Sequence, residues 1–286
     1  MKPYACTVRQ VFPLPVYIRR GLVGRLTGVR LAIALFLVVA LVAGYALVQA
    51  RLSLEKPGVP ALLYHQVVRG APRFPMQIGE SLFRAQIVYL SWRGFHFATT
   101  AEIQAYLQGS LRLPRRTVLI TFDDGYADNY YVAYPILRRY GARATIFTIA
   151  SLVGMPGYLT AAQVEEMQAS GLVEFQNHTN ALHYRMNDGV SALVTFPVDT
   201  VRDDLLQART ALRTLTAVDP TALAYPYGQY RPELDQALRE AGQTMAFTTE
   251  RAYVTPGRDP YRLPRLRPPN QAILFLDFVD TVEGYR

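Results

Sequence analysis

The chain has 286 residues, half of them apolar, a single cysteine and a formal net charge of +8. That length and apolar content suit one large domain or two small ones and exclude disorder as the default. Seven basic and no acidic residues fall within 1–51, so the remainder holds 23 basic against 22 acidic groups, which argues against a basic groove for nucleic acid.

Residues 1–30 read as a basic tail. Residues 31–50, "LAIALFLVVALVAGYALVQA", carry no charge, and about 20 such residues span a hydrocarbon core of about 30 Å as a helix. The arginines on the N-terminal side keep the tail cytoplasmic and place everything beyond Arg51 outside. An uncleaved membrane anchor is therefore expected, with a cleaved signal peptide ending near Val48 and Ala50 as the alternative. Cys6 lies on the cytoplasmic side, so the outer part has no disulfide and no thiol chemistry. Residues 51–58, with Pro57 and Gly58, read as a linker to an outer domain, 59–286.

In that domain "VPALLYH" is a predicted strand ending at His65. Residues 80–93 have helical spacing closed by Gly94, "FHFAT" follows as a strand, and "TTAEIQAYL" reads as a short helix capped by Thr100. "TVLITF" is a strand followed by a helix over 127–140. "RATIFTIA" is a strand followed by the helix "TAAQVEEMQASG". "LVEFQNH" is a strand, 198–216 a long helix, "TALAYPYG" a strand and 231–241 a helix; "TMAFTT" and "YRLPRLR" are further short strands. Alternating β and α with near-continuous apolar strands predicts a parallel sheet buried on both faces. About seven to eight units fit an irregular (β/α) barrel. A doubly wound open sheet is the alternative, but no G-x-G-x-x-G follows the first strand.

In either architecture the site lies at the carboxyl ends of the strands. Four strand ends carry unusual polar residues: His65, Asp123-Asp124, His178 with His183, and Tyr225-Pro226-Tyr227-Gly228. Two imidazoles and a carboxylate suit a divalent metal of the zinc type with positions left open. His178 and His183 are five apart, which is wrong for one helix face, so a loop must bring them together. Two adjacent aspartates repel unless their environments differ. Gly125 permits the turn that lets them diverge, one to ligate and the other to stand over the water. Taken singly each motif has a plain structural reading: "DDG" as a solvated turn, "YPYG" as a turn with packed aromatics, His65 as a core histidine. Their joint placement at strand ends is what points to a site. His96 reads as structural.

"TFDDGYADNY", "NHTNALH" and "AYPYGQY" together resemble the motifs of the polysaccharide deacetylases, the NodB-homology group of carbohydrate esterase family 4, over roughly residues 59–270. The resemblance implies Asp124, His178 and His183 as ligands of a divalent ion, most often zinc, Asp123 as general base, and the Tyr227 backbone N–H as an oxyanion donor. Two departures stand out. Ala224 and Tyr225 occupy the place of the arginine that usually orients the base, leaving Arg265 as a candidate substitute. No histidine follows His183, whereas most members have a late one as general acid. The sequence is similar to a circularly permuted branch, which includes poly-N-acetylglucosamine deacetylases, where the acid histidine follows the first strand in a "YH" context. "LLYHQV" has that form, which assigns the role to His65. The implied activity is metal-assisted N-deacetylation of an extracytoplasmic N-acetylglucosamine polysaccharide. The rivals are an O-acetyl polysaccharide esterase and a membrane-tethered glycan-binding protein with a decayed site. The stretch 184–197 has no periodicity and could shape the substrate groove. Nothing in the sequence identifies a protein partner.

Overall fold

The computed structural model describes residues 30, 32–45 and 58–284. The chain divides into two compact units, Met1–Leu54 and Glu55–Arg286. In the first, residues 32–45 are helical. Residues 31 and 46–50 of the predicted anchor, nearly all of the basic tail and most of the linker lie outside the described residues. Among the described residues no helix is long and apolar enough to cross a membrane.

Among its described residues the second unit has nine strands: β1 (Ala61–Tyr64), β2 (Gln66–Val68), β3 (Gln77–Gly79), β4 (His96–Phe97), β5 (Thr117–Asp124), β6 (Ala144–Thr148), β7 (Val173–Asn177), β8 (Ala222–Ala224) and β9 (Met245–Phe247). The main sheet runs β1-β5-β6-β7-β8-β9 with β4 beside β5, β2 and β3 form a separate pair, and every strand pairing is parallel. Parallel neighbours cannot be joined by tight hairpins, so crossover segments, mostly helical, separate them. The sheet curls as in a (β/α) barrel. Its edge strands are linked through one segment: Leu263 bridges Phe247 of β9, and Leu266 bridges Leu62 of β1.

Period-two alternation sorts the side chains. On β5, Val118, Ile120 and Phe122 pack outward on the helices Glu80–Trp92, Tyr134–Tyr140 and Ala161–Ala169, with Phe83, Ile87, Leu137, Val164 and Met167. Leu119 faces inward, onto Phe147, Ala222, Ala224, Met245, Phe247 and Leu263. The helix Val198–Thr216 covers β8 and β9 through Val201 and Leu205, against Leu223 and Ala246. Each fully buried large aliphatic or aromatic side chain contributes about 1.5–3 kcal/mol, which fits a domain without disulfides.

Several expectations are corrected. "YRLPRLR" forms two isolated bridges rather than a strand, because Pro264 in its centre has no N–H for a ladder. The predicted helix 127–140 is a wide π-type turn, Asn129–Ala133, followed by the helix Tyr134–Tyr140. Pro135 cannot supply the N–H that a continuous helix would require there, but is tolerated in a first turn. The segment 231–241 likewise splits into a 3-10 turn, Pro232–Leu234, and the helix Asp235–Glu240. The N-cap of Thr100–Leu107 is Thr99, which exchanges bonds with Glu102 in a capping box. Thr100 is engaged elsewhere, donating its N–H to Glu174 at 2.7 Å and accepting from Gln176 at 3.1 Å. His96 pairs with Glu102 at 2.8 Å. The pair β2–β3 and a C-terminal helix, Phe275–Glu283, were not predicted.

Candidate active site

The carboxyl ends of β1, β5, β7 and β8 meet at one mouth. A cleft of about 230 Å³ there is lined by His65, Met76, Asp123, Asp124, His178, His183, Arg185, Tyr227, Thr249 and Arg267. All the predicted site residues except Arg265 line it, and Arg265 lies directly beneath.

The two aspartates do diverge. Asp123 continues the inward face of β5, whereas Asp124 has a positive φ of 74° and Gly125 one of 78°. A non-glycine residue in this region costs of order 1–3 kcal/mol, so the surroundings must hold Asp124 in place. Gly125 packs so closely on Thr148 that a Cβ there would stand 3.1 Å from its methyl group.

Asp124 Oδ1 lies 3.3 Å from His178 Nε2 and 3.2 Å from His183 Nε2. It is buried and has no hydrogen-bond partner, an arrangement that an acceptor tolerates poorly unless something sits before it. Donor atoms of the three residues lie within 4.8 Å of one another, and carboxylate oxygen with two imidazole nitrogens is a donor set for a zinc-type ion. The residues fit such an ion.

Each histidine is fixed from behind. His178 Nδ1 donates to the Ala224 carbonyl at 2.7 Å, which leaves Nε2 as the lone-pair nitrogen facing Asp124. His183 arrives on a loop gripped by the helix Val198–Thr216: Asp204 accepts the N–H groups of Asn180 and Ala181, both at 2.8 Å. Thr179, with φ of 75°, makes the turn. That loop brings the two rings to 4.5 Å between centroids, so the five-residue spacing is met by a turn rather than a helix. Burial and the adjacent His178 push His183 down to about 4. For His178 burial works downward, but Asp123 and Asp124 outweigh it and the group is raised.

Asp123 has a different partner. Arg265, 1% exposed, meets both its oxygens, at 2.6 Å and 2.8 Å, and donates through Nε to the Thr248 carbonyl at 3.0 Å. This bidentate fork is the strong form of the ion pair. Burial alone would raise the Asp123 carboxyl; the Arg265 charge more than offsets it and holds the group below the usual range. In Asp124 burial is likewise outweighed, by His178 and His183 beside it, and its carboxyl is lowered too.

His65 stands at the end of β1, 7% exposed. Burial lowers it, with Asp123 and Asp124 pulling the other way. Its carbonyl accepts from Asn129 Nδ2 at 2.8 Å, and Asp128 accepts the Val67 N–H and an Asn129 N–H, both at 3.1 Å. The residues just after the aspartates thus fasten the His65 segment to β5. Within "TFDDGYADNY" the sequence gives Asp128 and Asn129 no role of their own, because two polar residues at the foot of a predicted helix carry little signal alone. Tyr227 has φ of 60°, and its ring lies 5.0 Å from that of His183. At Gly228 a Cβ would strike the Thr249 side chain at 2.2 Å.

Comparison with known proteins follows this geometry. Residues 111–246 match the family profile described as polysaccharide deacetylase. The chain is 29% identical over 240 residues, 78% of its length and 83% of the relative's, to a poly-β-1,6-N-acetyl-D-glucosamine N-deacetylase of Staphylococcus epidermidis. It is 31% identical over 194 residues, 66% of its length and 67% of the relative's, to the protein of the same description in Staphylococcus aureus. The solved structure of IcaB from Ammonifex degensii superposes with a TM-score of 0.72 at 30% identity, covering 80% of this chain and 98% of that one. By sequence, by fold and by relatives that are N-deacetylases, hydrolases of carbon–nitrogen bonds, the chain belongs to the polysaccharide deacetylase family.

Proposed function

We propose that the protein is a metal-dependent deacetylase that removes N-acetyl groups from an N-acetylglucosamine-containing polysaccharide outside the cytoplasm, tethered through residues 31–50. The observation that carries this reading is the division of labour between neighbouring carboxylates. Asp123 is locked on buried Arg265, while Asp124 faces two histidines with an unsatisfied oxygen.

A divalent ion, zinc by its donor set, held by Asp124, His178 and His183 would polarise the acetyl carbonyl and acidify water at the site. Asp123, kept ionised and aimed by Arg265, takes the proton of the attacking water. Arg265 thereby takes the part of the arginine absent before Pro226. The Tyr227 N–H donates to the carbonyl oxygen as it gains charge. His65, on the same cleft, donates a proton to the departing sugar nitrogen, which leaves as an amine. Burial, with Arg265 and His178, holds the His65 imidazole below its ordinary range, and Asp123 and Asp124 beside it oppose that shift only in part.

Acetate release from N-acetylglucosamine oligomers of defined linkage, with and without chelator, tests the reading. Release is expected, lost on chelation and restored by zinc. Release from an O-acetylated xylan oligomer alone would replace the N-deacetylase by an esterase. Absence of both release and bound metal would leave a glycan-binding module.

A further inference from the structure

We propose that the rim of the cleft is an anion-recognition site formed by Arg185 and Arg267, and that it selects a glycan carrying a carboxylate or phosphate group beside the acetylated sugar. Both arginines line the cleft and are exposed. They flank it. Arg267 also lines a small cavity with His65, Pro75 and Met76, whereas the Arg185 guanidinium lies 4.0 Å from the centre of the Tyr227 ring.

Arg185 is held in place without being neutralised. Its Nη1 donates to the Gly189 carbonyl at 2.5 Å. The turn beneath it is closed by Met186 N–H to Val190 at 2.7 Å and tied to the third motif by Ser191 N–H to Gln229 Oε1 at 2.7 Å. Asp188, the acid in that turn, accepts the Val190 N–H. Neither Arg185 nor Arg267 forms an ion pair among the described residues, unlike Arg258 and Arg262 nearby in sequence. An arginine has five N–H donors in a planar fork suited to carboxylate or phosphate, and most of those on Arg185 remain unused.

The acids lining the cleft do not cancel this charge. Asp123 is already matched by Arg265 and Asp124 faces the two histidines. A cation bound at that trio makes the mouth more positive still. A neighbouring sugar that already bears a free amine is repelled, and one bearing an anion is drawn in.

The inference rests on the deacetylase reading for its ligand being a glycan, and binding separates the two. The full-length His65→Ala protein, loaded with zinc, is titrated with a neutral N-acetylglucosamine tetramer and with the same tetramer bearing one carboxylate or one phosphate monoester. The better acidic tetramer is expected to bind about tenfold more tightly than the neutral one, as for a charge-assisted hydrogen bond, and comparing the two identifies the group. That preference should vanish in about 1 M salt, where the screening length is about 3 Å, and in the Arg185→Ala/Arg267→Ala double variant. In His65-intact protein the ratio of kcat/KM for acidic over neutral tetramer should fall to about one with the same double change. Equal binding of all three tetramers, or a preference that survives loss of both arginines, overturns the inference. An intact preference in a protein that releases no acetate would retain it and sink the deacetylase reading.

Discussion

Carboxylates occur within the sheet and at its mouth, and the contrast between them separates structure from chemistry. Glu174 on β7 is half-buried and tied by one oxygen: its Oε1 accepts the Thr100 N–H at 2.7 Å and the Thr145 hydroxyl at 2.6 Å. Burial raises its pKa, with those bonds opposing. Asp123 and Asp124 meet arginine and histidine instead, both are lowered, and one oxygen of Asp124 is left without a partner. A carboxylate oxygen bonded by neutral donors from neighbouring segments ties them together. A carboxylate that is answered by charges, with an oxygen to spare, is poised to hold something else.

The hardest test of this contrast is to remove the open end's ligands. Asp124→Ala or His178→Ala is expected to abolish both stoichiometric zinc, read by elemental analysis, and acetate release. Next, Asp123→Asn should retain zinc yet lose about 10²–10⁴-fold in kcat, the span of general acid–base catalysis; full activity with metal bound would remove the base assignment. Asn129→Ala should lower kcat by about 10²-fold with KM and zinc content little changed, because it frees the His65 backbone and displaces the acid by about an ångström. An equal loss in Asn129→Ala on a substrate with a good leaving group, which needs no acid, would show a general structural defect instead.

The smallest effect belongs to Glu174. Glu174→Gln keeps an acceptor oxygen and should leave kcat/KM within about twofold, since the residue lies outside the chemistry. Its signature is in pH. A carboxyl raised on folding stabilises below its unfolded pKa and loses that contribution as pH rises through the folded value; a lowered one, as in Asp123, loses its contribution as pH falls. Thermal unfolding of Glu174→Gln should therefore weaken less than wild type as pH rises from about 4 to neutrality. Wild type should keep its loss of stability at still lower pH, where Asp123 protonates.

What could be read in the sequence follows the range of the forces involved. The strand β5 and the gathering of its terminal aspartates with His178 and His183 at one mouth were legible, because apolar runs and polar residues at strand ends are local patterns. Arg265 could be named only as a candidate. Its contact with Asp123 spans 142 residues and leaves no local trace. Pro264 disguised the linking segment, and β2 and β3, three residues each, are too short to show a period. The loop 184–197 had no period either. Its order comes from Gln229, on another turn, and Arg185 acquires meaning only once that turn is placed beside Tyr227.

The link between β1 and the segment around Leu266, made by the Leu63 N–H to the Leu266 carbonyl at 2.9 Å and the Leu266 N–H to Ala61 at 2.7 Å, also sets an order of events. The trio Asp124, His178 and His183 is fixed from behind by Asp204 and the Ala224 carbonyl, so it is in place once the chain has reached β8. Arg265 and its grip on Asp123 wait for a contact that joins the domain's beginning to its end, and closing so long a loop is entropically late. A chain emerging N-terminus first therefore gathers Asp124, His178 and His183 before Asp123 meets its arginine. The last contact of the site is thereby the one that joins the two edges of the sheet.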